Sequence, residues 1–399
     1  MQASSASPTI NLDIAIIGGG IAALWLLERL RRAGYTAALF SDGPLGAGQT
    51  VASQGMIHGG VKYTLAGTLS GASEAIADMP EHWRACLAGK GDVDLRQTRV
   101  LSDHFYMWST STVGKLTSFF ASRALRGRVE KVGKAERPAL FANPAFSGSL
   151  YKLVDMVLDV PSLVANLAAN NAGYIFQLDS GYQWHREGTR AQQRLGCGTV
   201  INAGQFIFAA GKGNQALLQA VDAQQPEQQL RPLRQLVVRH DNPYPFYGHC
   251  LGAEKTPRLT ISSHPGADGR MVWYLGGSLA EEGARLSDDQ LIAKGRAELQ
   301  QLFPWLEFSH AEFSTLYIER AEPKQPGLVR PDQAYAEPVP GLDNVIAAWP
   351  TKLTLTPNMA QQIMPQLAAP GANHSDALEQ LRQRLSPPAL AALPWETTP

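Results

Sequence analysis

Charge of one sign is what this chain most lacks. Its 399 residues hold 35 Lys and Arg against 35 Asp and Glu, a formal net charge of zero. A balanced chain has no field to gather nucleic acid or an anionic membrane, and neither partner is expected. Cysteine is scarce: Cys86, Cys197 and Cys250 are odd in number, far apart and without a C-x-x-C pair. That pattern excludes a disulfide framework and offers no zinc-ligand spacing, so no metal is expected. No apolar run reaches the roughly 20 residues that span a bilayer, so no integral membrane segment is expected. The opening MQASSASPTINLD has neither the basic nor the apolar region of a secretory signal. A reducing, cytoplasmic setting and a monomer are the expectations.

What is present begins with ordinary bulk. The chain is 44% hydrophobic and 18% charged, as globular proteins are. Its length exceeds that of most single cores and implies two domains. Near the start, LDIAII (12–17) is a short apolar run, and Gly18-Gly19-Gly20 follows at once. Then IAALWLLERLRRAG places Ile21, Leu24, Leu27 and Leu30 on one helical stripe, with Gly34 as a stop and TAALF (36–40) as a second strand. This is a βαβ unit whose turn reads G-x-G-x-x-A at Gly18, Gly20 and Ala23. Gly18 permits the tight turn, and Gly20 lets a pyrophosphate approach the backbone. Ile21, Ala22 and Ala23 open the helix whose free N–H groups face the phosphates. A dinucleotide is the expected ligand. The acid that would hold ribose hydroxyls falls on Ser41, with Asp42 one place later, and either residue is a candidate.

The continuation decides which dinucleotide. A nicotinamide enzyme would run on through regular βα units. Here the chain passes through Gln49 and Thr50 into TVASQGMIHGGVKY (50–63). Ser53, Met56, Ile57, His58, Gly59, Gly60, Val61, Lys62 and Tyr63 match an S-x-x-(L/M)-I-H-G-G-hydrophobic-(R/K)-Y run. That run, after the glycine turn, resembles aerobic glycerol-3-phosphate dehydrogenase. The wider group is the FAD-dependent D-amino-acid oxidase and glycine oxidase family. Three more stretches resemble it: VLDVPSLVANLAANNAGYIF (157–176), GTVINAGQFIFAAGKGN (198–214) and PGLDNVIAAWPTKLTLTPNMAQQI (340–363). The family's Gly-His in that last loop is replaced by Trp349-Pro350-Thr351-Lys352-Leu353-Thr354.

The resemblance implies FAD as the cofactor. It implies an α/β fold with a Rossmann-like FAD-binding domain of the glutathione-reductase type. Between its parts, RVLSDHFYMWS, RQLVVRH, RLTISSH, RMVWYLGGS and STLYIER read as strands. They suggest a second, sheet-based domain inserted into the first in two pieces, and the resemblance implies that it is a substrate domain on a mixed, mostly antiparallel β-sheet. The expected boundaries are 1–90, 159–218 and 340–399 for FAD, with 91–158 and 219–339 for the substrate. Ser53, Gln54, Gly55, Met56, His58 and Gly59 would run beneath the cofactor, and Ala210 and Gly211 would approach it closely. A helix starting near Thr356-Pro357, with threonine as its cap, would point at the flavin's pyrimidine edge. Lys352, Leu353 and Thr354 would then sit at that edge, Lys352 adding positive charge where reduction places negative charge.

The family implies an oxidisable C–H beside an amine or hydroxyl on a small anionic substrate, with a hydride passing to the flavin. Lys62 occupies the place of the phosphate-holding residue. Arg330, in GLVRPD, and Arg320, ending STLYIER, compete for the place of the carboxylate-binding arginine. His58, His249 and His264 are available as general bases, and Tyr247, Tyr274 and Tyr317 as pocket lining. The electron acceptor is left open. A second reading, from another class, is a flavin-binding protein in which FAD is structural or relays electrons.

Overall fold

The computed structural model describes residues 8–59, 76–110, 129–252, 256–328, 331, 333–371 and 375–397. Strand β1 (Thr9–Ile17), helix α1 (Ile21–Arg32) and strand β2 (Ala37–Ser41) form the expected βαβ unit. β2 is buried throughout and β1 is buried along its second half, as strands covered on both faces must be. The parallel sheet runs in the order Ile175–Gln177, β2, β1, Val200–Phe208 and Val345–Trp349. A hairpin, Gln183–Glu187 with Arg190–Arg194, and the strand Tyr335–Pro338 extend it with antiparallel pairs. Core residues cover both faces. Leu24, Leu27 and Leu163 lie with Ile14 and Leu39 on one side, Phe176, Phe208 and Leu218 with Ala15 and Phe40 on the other.

The second sheet has eight strands in the order Glu312–Pro323, Gln228–His240, Met271–Gly276, Leu259–Pro265, Gly248–Cys250, Phe105–Ser109, Ser149–Leu153 and Val129–Lys131. All its pairs are antiparallel except Gly248–Cys250 with Phe105–Ser109. The architecture is therefore the α/β fold with a mixed, mostly antiparallel second sheet read from the sequence. One face of this sheet buries Leu236, Ile261 and Leu275 beneath the helix Asp288–Leu302. The other carries Phe105, Met107, His249, Ser262, Tyr274 and Val237, and Met56 packs against its Phe105 end.

One strand reading needs correction. RVLSDHFYMWS is two strands in two sheets. Val100–Ser102 pairs with Met156–Leu158, which also holds Met56–Ile57, whereas Phe105–Ser109 enters the eight-stranded sheet. Asp103 and His104 make the break, where the Ser102 hydroxyl donates to the His104 carbonyl. Period-two alternation continues across such a corner, so the pattern cannot reveal it. No helix among the described residues is long and apolar enough to cross a membrane.

Candidate functional site

The site grows from the carboxyl ends of the parallel strands, where β1 stops and α1 begins. Gly18 has φ +132°, and a Cβ there would lie 2.6 Å from the Ala209 carbonyl oxygen, so only glycine lets the two strand ends approach. The N-cap of α1 is Gly20, in extended backbone, with no side-chain cap and no acidic residue in the first turn. One first-turn donor is taken: Ile21 N–H donates to Thr50 Oγ1 at 3.2 Å. Ala22 and Ala23 are buried in the helix–strand packing.

Beside this turn lies a cavity of about 500 Å³, lined among others by Gly18, Asp42, Tyr182, Trp184 and Ala210. Asp42 borders it. Ser41 does not: it is 2% exposed, and its hydroxyl donates to the Gly43 carbonyl at 2.8 Å. An uncapped helix N-terminus next to a cavity holding one carboxylate fits a dinucleotide, with phosphates at the backbone and hydroxyls at the acid.

The segment after Thr50 is fastened on two sides. Gln49 Oε1 accepts from Ala321 N–H at 3.0 Å. Gln54 Nε2 donates to the Tyr274 carbonyl at 2.8 Å and the Thr260 carbonyl at 3.4 Å, on the eight-stranded sheet. Ser53 Oγ accepts from Gly55 N–H at 3.3 Å. Opposite, Thr354 Oγ1 accepts from His58 N–H and donates to the Met56 carbonyl, each at 3.4 Å. The Thr354 carbonyl takes the Trp83 indole N–H at 3.1 Å, and Asp155 Oδ1 accepts from Gly59 N–H at 3.0 Å. Met56, His58, Gly59 and Thr354 are thus brought together. Trp83 and Asp155, which hold them, carry no motif that marks them in the sequence.

The turn before Thr354 is strained. Thr351 has φ +58°, a conformation that β-branched residues avoid, and its hydroxyl donates to the Gln333 carbonyl at 3.1 Å. Lys352 follows, 7% exposed, in extended backbone at the N-cap position of the short 3-10 turn Leu353–Leu355. That turn runs into the helix Thr356–Ile363. Thr356 does not cap this helix as expected: it lies inside the first turn, and its hydroxyl donates to the Leu353 carbonyl at 2.9 Å. Ala210 and Gly211 close the ring of loops, the Gly211 carbonyl accepting from the Trp349 indole at 3.0 Å.

Gly60, Lys62, Tyr63 and Arg330 lie outside the described residues. Arg320 is three-quarters buried on the edge strand, its guanidinium 3.6 Å from Glu281 and its Nε donating to the Arg231 carbonyl. His249 is buried, with Nδ1 2.8 Å from Thr260 Oγ1 and its ring edge-on to Phe105. Tyr274 is buried on the same face, whereas Tyr317 is 47% exposed and lines no interior. Away from these loops, His82, Cys86 and Asp92 lie within 4.8 Å of one another. Asp92 there accepts from His82 and, through its other oxygen, from Arg29, so the group is satisfied as a hydrogen-bonded network.

Two histidines of the eight-stranded sheet set an acid limit on stability. Burial pushes His240 and His264 down to about 4 from the usual 6.5, the charges of Asp241 and Arg270 acting on His240 in opposite senses. Between those values the unfolded chain binds more protons, so native stability falls as pH drops from 6.5 towards 4. The shift corresponds to about 3 kcal/mol per histidine at its limit. Thermal melts of the FAD-loaded protein should show Tm falling through this window. His240→Phe should flatten the slope, and an unchanged slope would refute the attribution.

The chain belongs to the FAD-dependent oxidoreductase family: residues 13–344 match the family described as "DAO: FAD dependent oxidoreductase". A probable FAD-dependent oxidoreductase of Pseudomonas aeruginosa is 44% identical over 391 residues, 97% of this chain and 98% of that one. The crystal structure of the Pseudomonas aeruginosa protein superposes with a TM-score of 0.81 at 37% identity, over 98% of this chain and 99% of that one. Glycine oxidase from Geobacillus kaustophilus shares the fold at 16% identity and a TM-score of 0.63, over 94% and 97% of the two chains. The dithionite-reduced L-α-glycerophosphate oxidase of Mycoplasma pneumoniae with FAD bound does so at 14% and 0.63, over 91% and 97%. The protein is an FAD-dependent enzyme.

Proposed function

We propose that this oxidoreductase oxidises a small anionic amine or hydroxy compound of amino-acid, hydroxy-acid or phosphorylated-polyol type. The observation that supports it most is the double fastening of residues 54–59. Thr354 ties the segment to the nucleotide side and Gln54 ties it to the sheet, so the segment stands where the two halves meet. FAD, when bound, supplies the two-electron acceptor.

In this reading, residues 1–90, 159–218 and 340–399 hold FAD, and 91–158 with 219–339 present the substrate. Gly18, Gly20, Ile21, Ala22, Ala23 and Thr50 hold the pyrophosphate, and Asp42 the ribose. Gln49, Ser53–Gly59, Ala210 and Gly211 line the cofactor's path. Lys352, with Leu353 and Thr354, carries positive charge to the ring edge that becomes negative on reduction. Arg320 or Arg330, with Lys62, binds the substrate's anionic group. A neutral amine needs no base, whereas a hydroxyl proton needs an acceptor, a role open to His58 and His249.

The test changes Lys62, Arg320 and Arg330 singly to methionine and titrates benzoate and inorganic phosphate against flavin absorbance. A charge-assisted contact is worth about 1.5 to 3 kcal/mol, so at least one variant should bind an anion roughly tenfold to a hundredfold more weakly. Three FAD-replete variants that all bind as the parent does would sink the reading.

A further inference from the structure

We propose that Trp395, carried in by the C-terminal segment, is a specificity-determining wall of the substrate site, limiting the size of the group that lies over the cofactor-side face of the eight-stranded sheet. The inference rests on the function proposed above.

The C-terminal segment takes a long path to reach that face. Ser386 O accepts from Gln177 N–H at 2.7 Å, at the edge of the parallel sheet. Leu45 N–H then donates to Ala389 O at 2.8 Å and Ala391 N–H to Leu45 O at 2.9 Å, just past β2. The Trp395 carbonyl finally accepts from Arg239 Nη2 at 2.7 Å. A chain end fastened at three such points is ordered against both sheets, and the one large side chain it delivers is Trp395, 4% exposed.

The Trp395 ring, unlike its carbonyl, meets only uncharged groups among the described residues of its cluster, two aromatic rings with Val237 and Val272. Its ring stacks on His264 with centroids 4.4 Å apart and lies edge-on to Tyr274 at 5.8 Å; His264 and Tyr274 are edge-on at 5.9 Å. Tyr274 and His264 sit on adjacent strands with their side chains on one face, since Ser262 pairs with Tyr274 and His264 with Val272. Tyr274 is also the residue whose carbonyl receives Gln54. One residue therefore touches the 54–59 segment through its backbone and the C-terminal wall through its ring.

The polar atoms of this triad mark it as more than packing. Tyr274 OH, His264 Nδ1 and Trp395 Nε1 are buried and have no hydrogen-bond partner among the described residues. Gln235 Oε1, on the same face, shares that state. Buried polar atoms are rarely left unpaired, and several together indicate a place where a ligand group completes them. None carries charge: burial holds His264 neutral near pH 7. The wall therefore suits a neutral, small, hydrogen-bonding substituent, while the anionic end of the substrate goes to the cations.

The test uses the FAD-loaded protein with acetate, benzoate and indole-3-acetate as probes of graded size, titrated against flavin absorbance. In the parent, indole-3-acetate should bind at least about tenfold more weakly than acetate. Trp395→Ala should tighten indole-3-acetate by about tenfold and leave acetate within about threefold, the scale on which a pocket wall discriminates size. Trp395→Phe, which keeps the packing, should move the limit by about threefold and carries the test if the alanine variant does not fold. Acrylamide quenching of flavin fluorescence, which needs no ligand, should rise severalfold in the alanine variant and little in the phenylalanine one. FAD-replete variants with the parent's size limit and quenching would overturn the proposal. If no carboxylate perturbs the parent's flavin, the anionic-substrate reading fails instead. Quenching then decides the wall alone, a rise supporting it and no change overturning it.

Discussion

Gly20→Val is expected to fold and to be isolated colourless. Gly20 has φ −82° and ψ 177°, backbone that any residue adopts. Among the described residues a Cβ there meets only Thr50 Oγ1, at 3.2 Å, a tight contact that a shift of a few tenths of an ångström in that hydroxyl relieves. What it does not accommodate is a phosphate at the same place, because the uncapped N–H groups of α1 are reached across Gly20. The expected loss of FAD affinity is a hundredfold or more, about 3 kcal/mol. The ratio of visible flavin absorbance to protein absorbance reads it, with the melting of the apoprotein as the check on folding. A yellow variant with full FAD content would place the pyrophosphate elsewhere.

Gly55→Ala acts through the opposite balance, by breaking the protein. Gly55 has φ +71°, and its added Cβ would lie 2.0 Å from the Leu158 carbonyl oxygen, a backbone atom that cannot swing aside. The same glycine's carbonyl accepts from Leu158 N–H at 2.9 Å, which starts the pairing of Met56–Ile57 with Met156–Leu158. Left-handed backbone and overpacking each cost about 1 to 3 kcal/mol. Their sum, about 2 to 6 kcal/mol, should lower Tm by about 2 to 7 °C in a chain of this length. Because this pairing anchors the 54–59 segment, retained FAD should also show a shifted visible spectrum. A variant with the parent's Tm and spectrum would mean that the segment sits elsewhere.

These two glycines show which parts of the molecule are legible in one dimension. The βαβ unit, its glycine turn and several strands of the second sheet follow from patterns that repeat within a few residues. Apolar stripes make the helix, apolar runs make the buried strands, and glycines stand where backbone must come close. Such constraints act between near neighbours, so the sequence by itself determined the α/β class, a second, sheet-based part and the nucleotide turn, and its resemblance to the family implied the mostly antiparallel pairing. It also implied FAD, through the run around His58.

Tertiary structure decided the rest. Asp42 rather than Ser41 borders the cavity, a difference of one residue that the apolar pattern of β2 does not resolve. Asp155 reaches Gly59 across 96 residues, Trp83 reaches Thr354 across 271, and Gln54 reaches Tyr274 across 220. The strand pattern from Val100 to Ser109 serves two sheets, and Trp395 returns from the end of the chain to His264. None of these partners leaves a local trace. A hydrogen bond or a ring contact selects whichever group packing delivers, and packing is settled by the whole chain at once.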